Sequence, residues 1–474
     1  MKYRTFSIKA SLLGGLVGAL LLSSCGLYKN YERPADIKTD GIYGDAQSGG
    51  EQGLGDIKWR EIFTDPQLQT LIEKGLANNT DMKNADLKIQ EVQYALKCAK
   101  LAYIPNIYFN PSGTVNRPWD PYDRNTYNTS TTYNLPITMS WQIGSLGSLR
   151  NAKKKAEVNV EQLKNAKQAV QAALVANIAS MYYTLSSLDE QLALTQTTRD
   201  NWGKYLDMEK KLMDAGQADM AAVSSIEATY HSICTSVVAL QNNIRLVENS
   251  LGTLLGETAG HVTRGALSTF QTPAILATGA PITILARRPD VKAAELELAS
   301  AFYEKNIARS AFYPSLNISA TGQFTNSLGG GAINPGIMIG NAVASLSQPL
   351  FANGRIRAQY KISKAEMEVA TNNFKQAVIA AGNEVNTAMV ELKSAEDQKE
   401  LISKQVTSLE KALDATQKLY AHTSTNYLNV ITAQNSLLSA QMSLIKNRMD
   451  AINATIDLYQ ALGGGAEVAE KEEK

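Results

Sequence analysis

The 474-residue sequence is poor in histidine, in unbalanced charge and in long apolar runs, and each shortage excludes a class of function. Its three histidines, His231, His261 and His422, are far apart in sequence and lack metal-ligand spacing, so no metal site is expected. The 46 basic and 45 acidic residues leave a net charge of +1, which gives no electrostatic basis for binding nucleic acid. No nucleophile–base constellation is visible, so we do not expect an enzyme.

Cysteine is also scarce, with three residues in the chain. Cys98 and Cys234 lie in predicted helices of different regions, where a disulfide is possible, but two small buried free thiols are the expected state. The mature chain contains no run of about 18 apolar residues, so no membrane-spanning helix is expected.

The N-terminus has the organisation of a targeting signal. Basic residues precede an apolar stretch, Ala10–Leu22, that is too short for a stable membrane span. The following Leu22–Gly26 resembles a bacterial lipoprotein signal-peptidase site, which implies that Cys25 carries a covalent lipid; the alternative is an ordinary signal peptide with a chance cysteine. Gly26 after this cysteine favours, by the same resemblance, sorting to the outer membrane.

The absence of proline predicts very long helices. Gly354–Tyr420 contains no proline, and its apolar residues recur every three and four positions, which is typical of a coiled coil. At 1.5 Å per residue this helix would be about 100 Å long. The seam consists of Val378, Ala381, Val385, Ala388, Leu392, Ala395, Ile402, Val406, Leu409, Leu413 and Tyr420. A second proline-free run covers Ile137–Thr272 and contains a similar seam.

Strict alternation of apolar and polar residues in Tyr133–Ile143 predicts a strand with one apolar face. Together with Ile104–Gly113 it indicates a hairpin with a long polar loop. Pro136 cannot donate a hydrogen bond, so we expect it at an edge or seam of the sheet. Leu316–Phe324 shows the same alternation and predicts a second hairpin.

A shift of about 207 to 209 residues superposes the two halves of the chain. Pro105 then meets Pro314, Gly147 meets Gly354, and Val223–Leu254 meets the segment from Val430 to Ala461. The chain is therefore a tandem duplication of helix, β-hairpin, long helix, turn and helix. We divide it into a signal peptide (1–24), a lipidated tether (25–58), a first repeat (59–257, hairpin 103–145), a linker (258–286), a second repeat (287–463, hairpin 312–350) and a disordered tail (464–474).

Two hairpins supply four strands, which cannot close a barrel, and open edges are not tolerated in a bilayer. Strands with one apolar face on a lipid-anchored chain therefore indicate a barrel that several chains complete. Because the long helices continue from the strands, they would form a tube beside that barrel.

Several ordered motifs resemble the TolC-like outer-membrane factor family, in particular the lipoprotein (NodT-type) branch of resistance-nodulation-division (RND) efflux systems. The motifs are Trp59–Pro66, Leu76–Asp81, Arg287–Asp290, Ala311–Ser315, Gln348–Arg355 and Tyr420–Gln434. The resemblance implies a mainly α fold with membrane β: a homotrimer with a 12-stranded outer-membrane barrel above an α-helical barrel in the periplasm. It further implies a periplasmic adaptor and an inner-membrane RND transporter as partners, and no cofactor apart from the lipid on Cys25.

The resemblance also assigns candidate sites. Leu428, Asn429 and Thr432 would line the periplasmic gate, where many relatives carry aspartates at the second or third position and this chain does not. Gly216, Gln217, Thr423 and Ser424 would contact the adaptor. Simple helix capping is the alternative for both turns.

The motif Arg287-Arg288-Pro289-Asp290 is interpreted as structural, with the proline in a first helical turn and the arginines holding the linker. For the whole protein, we expect the exit duct of a tripartite pump for drugs or other small molecules. The alternatives are the duct of a type I protein-secretion system and a non-transporting coiled-coil scaffold.

Overall fold

The structure is a computed structural model that describes residues 28–34, 58–116, 130–145, 147–258, 260–270, 288–326, 337–422 and 427–464. Most of these residues are helical. In chain order the elements are α1 (Trp59–Ile62), α2 (Pro66–Asn78), α3 (Thr80–Leu101), β1 (Asn106–Phe109), β2 (Ser112–Asn116), β3 (Ser130–Ser145), α4 (Ser148–Asp214), α5 (Met220–Leu255), a 3-10 turn (Leu267–Thr269), α6 (Pro289–Ser310), β4 (Ser315–Thr325), β5 (Ile337–Ser347), α7 (Arg355–His422) and α8 (Tyr427–Ala461).

The chain divides into two compact units, each assembled from segments of both repeats. One unit contains the β-sheet with the adjoining parts of α3, α4, α6 and α7 (89–162 and 294–374), together with residues 28–34. The other contains α1, α2, α5, α8 and the remainder of the long helices. None of the helices in the described ranges is long and apolar enough to cross a membrane.

The long helices predicted from the absence of proline are confirmed. α4 has 67 residues and α7 has 68. The predicted α7 seam is buried from Val378 through Ala395 and again at Val406. Alanine occupies half of the seam positions in the first stretch, which lets the neighbouring helix backbone approach closely.

Both predicted hairpins are present in one antiparallel sheet. Its order is β1-β3-β4-β5, and β2 also pairs with β3. The first arm of the first hairpin is broken into β1 and β2 at Asn110 and Pro111, a break that the alternation did not predict.

One face of the sheet is apolar across all its strands. Ile107 lies opposite Met139, which lies opposite Ala320 and then Ala342. The other face is mainly polar on β3 and β4, where Thr138 and Thr321 are cross-strand neighbours whose hydroxyl oxygens are 3.1 Å apart. The apolar face is exposed in the single chain at Ile107, Phe109, Leu135, Ile137, Phe324, Met338 and Leu346.

Of the two positions expected for Pro136, an edge or a seam, the edge is excluded because β3 is an interior strand. The Pro136 carbonyl accepts a hydrogen bond from the Asn110 amide at 3.4 Å, so this side of Pro136 faces the break between β1 and β2. A residue's N–H and C=O point to the same side of a strand. The missing donor of Pro136 therefore faces the break between β1 and β2, where no ladder hydrogen bond is lost.

The seam of α5 departs from its predicted register near the C-terminal end. The heptad pattern of the sequence predicts Val247 and Leu254 in the α5 seam, but both are only partly buried, whereas Glu248 and Leu255 are buried. A straight α-helix rotates by about 20° per heptad relative to an exact seven-residue repeat, so the buried positions shift along its length. A carboxylate can occupy such a buried position where a cation pairs with it. Arg264 from the linker supplies that cation, with 2.8 Å between its Nη1 and the Glu248 Oε1.

The two cysteines outside the signal region are free thiols, as expected. Their predicted burial is wrong: Cys98 is exposed in the single chain and Cys234 is partly exposed.

The described part of the tether, residues 28–34, packs along α6. The rings of Tyr31 and Phe302 meet edge-on with centroids 5.9 Å apart, and the Arg33 Nε donates to Glu295 at 2.8 Å. Near the end of α6, the Arg309 guanidinium lies 5.9 Å from the Tyr28 ring. The three contacted α6 residues are spaced by seven, so the extended strap, defined as residues 28–34, follows one face of the helix.

Candidate functional site

The turn between α4 and α5 is built by helix capping. Gly216 has φ +73°, and its amide donates to the Met213 carbonyl at 2.9 Å. The Gln217 amide donates to Leu212 at 2.8 Å, which completes a left-handed C-terminal cap. Asp219 then caps α5 by accepting from the Ala222 amide at 2.7 Å. Open space surrounds Gly216, so its backbone conformation, rather than crowding, requires a glycine.

The corresponding turn after α7 carries the predicted gate residues. Leu428 and Asn429 are exposed in the first turn of α8, with Leu428 51% exposed. The Thr432 hydroxyl donates to the Leu428 carbonyl at 2.9 Å, so all three residues lie within one helical turn of each other. Thr423 and Ser424 lie outside the described residues.

A buried cluster brings the ends of three helices together. Trp202 and Leu206 of α4 pack with Val223, Ile226 and Ile233 of α5. Met213 from the end of α4 and Ile431 from the start of α8 contact the same cluster. The two turns therefore belong to one tip, which we define as the helix ends around this cluster.

A buried hydrogen bond joins α4 to the end of α7 at the tip. Glu209 is 3% exposed and accepts from the Tyr420 hydroxyl at 2.8 Å. Burial, together with the hydrogen bond and charge of Glu209, raises the pKa of Tyr420 to about 12, so the hydroxyl stays protonated and donates. Four residues earlier on α4, Tyr205 accepts from the Gln417 side chain at 2.7 Å.

The Glu209–Tyr420 contact was not predicted from the sequence. From the sequence alone, charges on the long helices such as Glu190, Glu209 and Lys399 are expected to be solvated or to pair between helices. Glu190 does pair across helices, with 2.8 Å to Arg448. Glu209 is instead enclosed with a phenol as its partner. In the sequence this contact is indicated by Tyr420, the aromatic residue that ends the otherwise aliphatic α7 seam.

Arg288 is the central residue of the linker motif. Its guanidinium is buried and bonds the carboxylates of Asp290 (2.7 Å) and Glu384 (2.6 Å). It also donates to the carbonyl of Ala461 at 2.8 Å, near the end of α8. Burial works against the charged form, yet these bonds outweigh it and raise the pKa of Arg288 above its usual value. Pro289 is the first residue of α6 and Asp290 follows it in the first turn, while Arg287 lies outside the described residues.

A second buried charge cluster fixes the linker to α5. Arg264 pairs with Asp189 through two hydrogen bonds of 2.5 and 2.8 Å, and with Glu248. Burial alone would raise the pKa of Glu248, but the bonds from Arg264 and from the Val262 amide outweigh it and lower the pKa. The pair is therefore charged at neutral pH and satisfies an otherwise costly buried carboxylate.

Neither cluster has the form of a catalytic or metal centre. In the part of the chain that the structure describes, no group of three or more His, Cys, Asp or Glu side chains is placed to hold a metal ion. Cys25, the predicted lipidation site, lies outside the described residues. The candidate site thus consists of capped turns and of hydrogen bonds and ion pairs between helices. Their formation or loss can hold or release the helix ends.

Comparison with known proteins identifies relatives along most of the chain. The cation efflux system protein CusC of Escherichia coli strain K12 is 27% identical over 408 residues, which cover 83% of this chain and 86% of the relative. The toluene efflux pump outer membrane protein TtgC of Pseudomonas putida is 26% identical over 407 residues, covering 82% of each chain. Nodulation protein T of Rhizobium leguminosarum bv. trifolii is 26% identical over 383 residues, covering 78% and 80% respectively.

Solved structures of efflux channels share the fold. A crystal structure of CusC superposes with a TM-score of 0.82 at 26% identity, covering 93% of this chain and all of the other. The Campylobacter jejuni CmeC outer membrane channel superposes with a TM-score of 0.83, covering 93% and 95%, although its 19% identity shows the fold alone.

The family model described as outer membrane efflux protein matches residues 71–257 and 281–464, so each of its two matches contains one long helix and its returning helix. The description names an efflux protein and not an enzyme, in agreement with the absence of predicted catalytic residues. Because these matches cover well over half of the sequence, the chain belongs to the outer membrane efflux protein family.

Proposed function

We propose that three copies of this chain form the outer-membrane exit duct of a tripartite efflux pump. The observation that carries the proposal is the sheet, whose apolar face is exposed and whose outer strands lack partners on one side among the described residues. β4 and β5 have 11 residues each, which matches the roughly 9–11 residues that a tilted strand needs to cross a bilayer.

The strand count supports a barrel shared between copies. Within the described ranges β5 pairs with β4 alone, and β1 and β2 pair with β3 alone, so a second copy can add its β1–β2 edge to β5. Backbone groups left open in lipid cost several kcal/mol each, which favours closure. Three copies of the β1/β2, β3, β4 and β5 positions give 12 strands, the number that the family resemblance implies.

The partners follow from the same resemblance. The duct would receive cargo from a periplasmic adaptor and an inner-membrane RND transporter, which supplies the energy. Gly216, Gln217, Thr423 and Ser424 are the proposed adaptor contacts at the tip. The capped geometry at Gly216 leaves open space around it, which is compatible with an approaching helix.

Cargo selection is assigned to the transporter rather than to the duct. The similar proteins are named for cation, toluene and antibiotic efflux and for pyoverdine export, so related ducts serve chemically unrelated cargo. We therefore propose drugs or other small molecules as the cargo class. A non-transporting coiled-coil scaffold, the alternative function, would not require a sheet with an exposed apolar face.

The gate is proposed at Leu428, Asn429 and Thr432. Leu428→Gly and Asn429→Lys are each expected to raise single-channel conductance in planar bilayers, because they remove bulk from the constriction or add charge repulsion between copies. Leu401→Gly is the matched control, since Leu401 is an exposed α7 leucine away from the tip. Unchanged conductance in both gate variants would refute the assignment.

The Glu209–Tyr420 bond is expected to hold the tip closed. Tyr420→Phe leaves the buried Glu209 carboxylate without its hydroxyl donor, at a cost of about 1–3 kcal/mol. We expect a lower melting temperature and a higher channel-open fraction in planar bilayers. The exposed Tyr94→Phe in α3 should change neither quantity. A Tyr420→Phe protein that matches the wild type in both measurements would show that this bond does not restrain the gate.

The two faces of β3 provide a direct test of membrane insertion. Ile137→Arg places a cation on the apolar face and should destabilise the inserted barrel by about 2–4 kcal/mol, seen as loss of heat-resistant oligomer in outer-membrane fractions. Thr138→Arg, one residue along on the polar face, should retain it. Equal oligomer yields for the two variants would contradict a lipid-facing apolar face.

Lipid anchoring at Cys25 is proposed from the signal-peptidase resemblance. Cells fed radiolabelled palmitate should label the wild-type protein, and Cys25→Ser should abolish the label. Cys98→Ser controls for modification of an exposed thiol. Label that persists in Cys25→Ser would assign the sequence to an ordinary signal peptide.

A further inference from the structure

Two equivalent glycines in the repeats have different surroundings. Gly147 and Gly354 each lie between a strand and a long helix, with φ of +82° and +77°. A Cβ atom on Gly147 would lie 2.5 Å from the Tyr28 ring, whereas no atom lies within 4 Å of the corresponding point on Gly354. The strap therefore occupies this place in the first repeat, and the same place in the second repeat is open.

The open place is a cavity of about 350 Å³ between the end of β5 and the start of α7. Its apolar lining includes Phe312, Leu350 and Phe351. In the single chain Leu350 is 95% exposed and Phe351 is 85% exposed. Two adjacent large apolar side chains in water are unfavourable, which indicates that something covers them.

The cavity is also basic. Arg357 lines it, no lining side chain is acidic, and Arg355 begins α7 beside it. Among the described residues neither arginine has a carboxylate partner within salt-bridge distance. Cations in the first turn of a helix interact unfavourably with its dipole, so these arginines do not stabilise α7. The first repeat has a single counterpart, Arg150, because Ser148 stands where Arg355 would be.

The loop that forms the cavity is held in place. The Gln348 side chain donates to the Phe312 carbonyl at 3.1 Å, and the Phe312 ring meets Tyr360 edge-on at 5.9 Å. Asn353 and Gly354 are consecutive residues with positive φ, which turns the chain sharply into α7. The apolar and basic groups thus have fixed positions relative to each other.

We propose that the second-repeat site, defined as Phe312 with Gln348–Arg357, binds an anionic phospholipid. The acyl chains contact Leu350 and Phe351, and the phosphate contacts Arg355 and Arg357. This inference rests on the proposed function, because it places the end of β5 at the periplasmic surface of the outer membrane. Exposed apolar side chains beside unpaired arginines match a lipid at that boundary, with apolar tails next to a negative headgroup.

The test uses the full-length protein, purified in detergent and delipidated, and its conductance in planar bilayers is measured separately. Native mass spectrometry then measures binding of dioleoyl phosphatidylglycerol and dioleoyl phosphatidylcholine. We expect the anionic lipid to bind more tightly. The double variant Arg355→Gln with Arg357→Gln should weaken its binding by roughly 25-fold, at about 5-fold for each arginine near an anionic lipid. Lys393→Gln with Lys411→Gln removes the same charge from exposed α7 positions and should leave binding unchanged.

A second measurement identifies what covers the apolar residues. A photoreactive p-benzoylphenylalanine in place of Phe351 should yield, in native membranes, an adduct with the mass of a phospholipid. An adduct with a second copy of this chain would overturn the proposal, since a neighbouring protomer would then cover the site. Unchanged phosphatidylglycerol binding in the arginine double variant would overturn it as well. A protein that binds lipid as expected but does not conduct would instead contradict the proposed duct.

Discussion

The backbone groups along the outer strands impose the constraint on which the rest of the structure depends. Within the described residues, β5 has a partner on one side only, and so do β1 and β2. Water can satisfy such edges, but the interior of a bilayer cannot. A sheet with an exposed apolar face and open edges is therefore stable in lipid only after further copies pair with it. The requirement for an oligomer comes from the strands.

The same strands also determine where the long helices begin. Each long helix follows a strand almost directly, α4 after β3 and α7 after β5, so every copy in the proposed duct would bring two long helices with its strands. The α7 seam alternates alanine with larger residues: the buried Ala381, Ala388 and Ala395 alternate with Val378, Val385 and Leu392. Small residues at every second seam position favour close packing of neighbouring helices over a large core. The buried Arg288 and Arg264 clusters then fix the linker to these helices at two points.

The sequence was most informative where a feature repeats along one element. Alternation predicted the strands because one face of the sheet is uniformly apolar, and heptads predicted the α7 seam because its partner is a continuous helix. Prediction failed where a distant residue decides the outcome. Glu248 displaces the expected α5 register because Arg264 meets it, and Glu209 is buried because Tyr420, about two hundred residues away, donates to it. Pro136 is tolerated in an interior strand because of a break in β1–β2 that only the sheet register reveals.

The two repeats differ at one place that the alignment of their sequences does not show. A duplicated chain has two equivalent places after its hairpins but one N-terminus, so the strap can fill the place at Gly147 and not the place at Gly354. The substitution pattern follows this asymmetry. The first repeat has Ser148 directly after the glycine that the Tyr28 ring covers, while the second has Arg355 near exposed Leu350 and Phe351. The two repeats therefore carry different side chains at the corresponding site after each hairpin. The strap covers this site in the first repeat and leaves it open in the second.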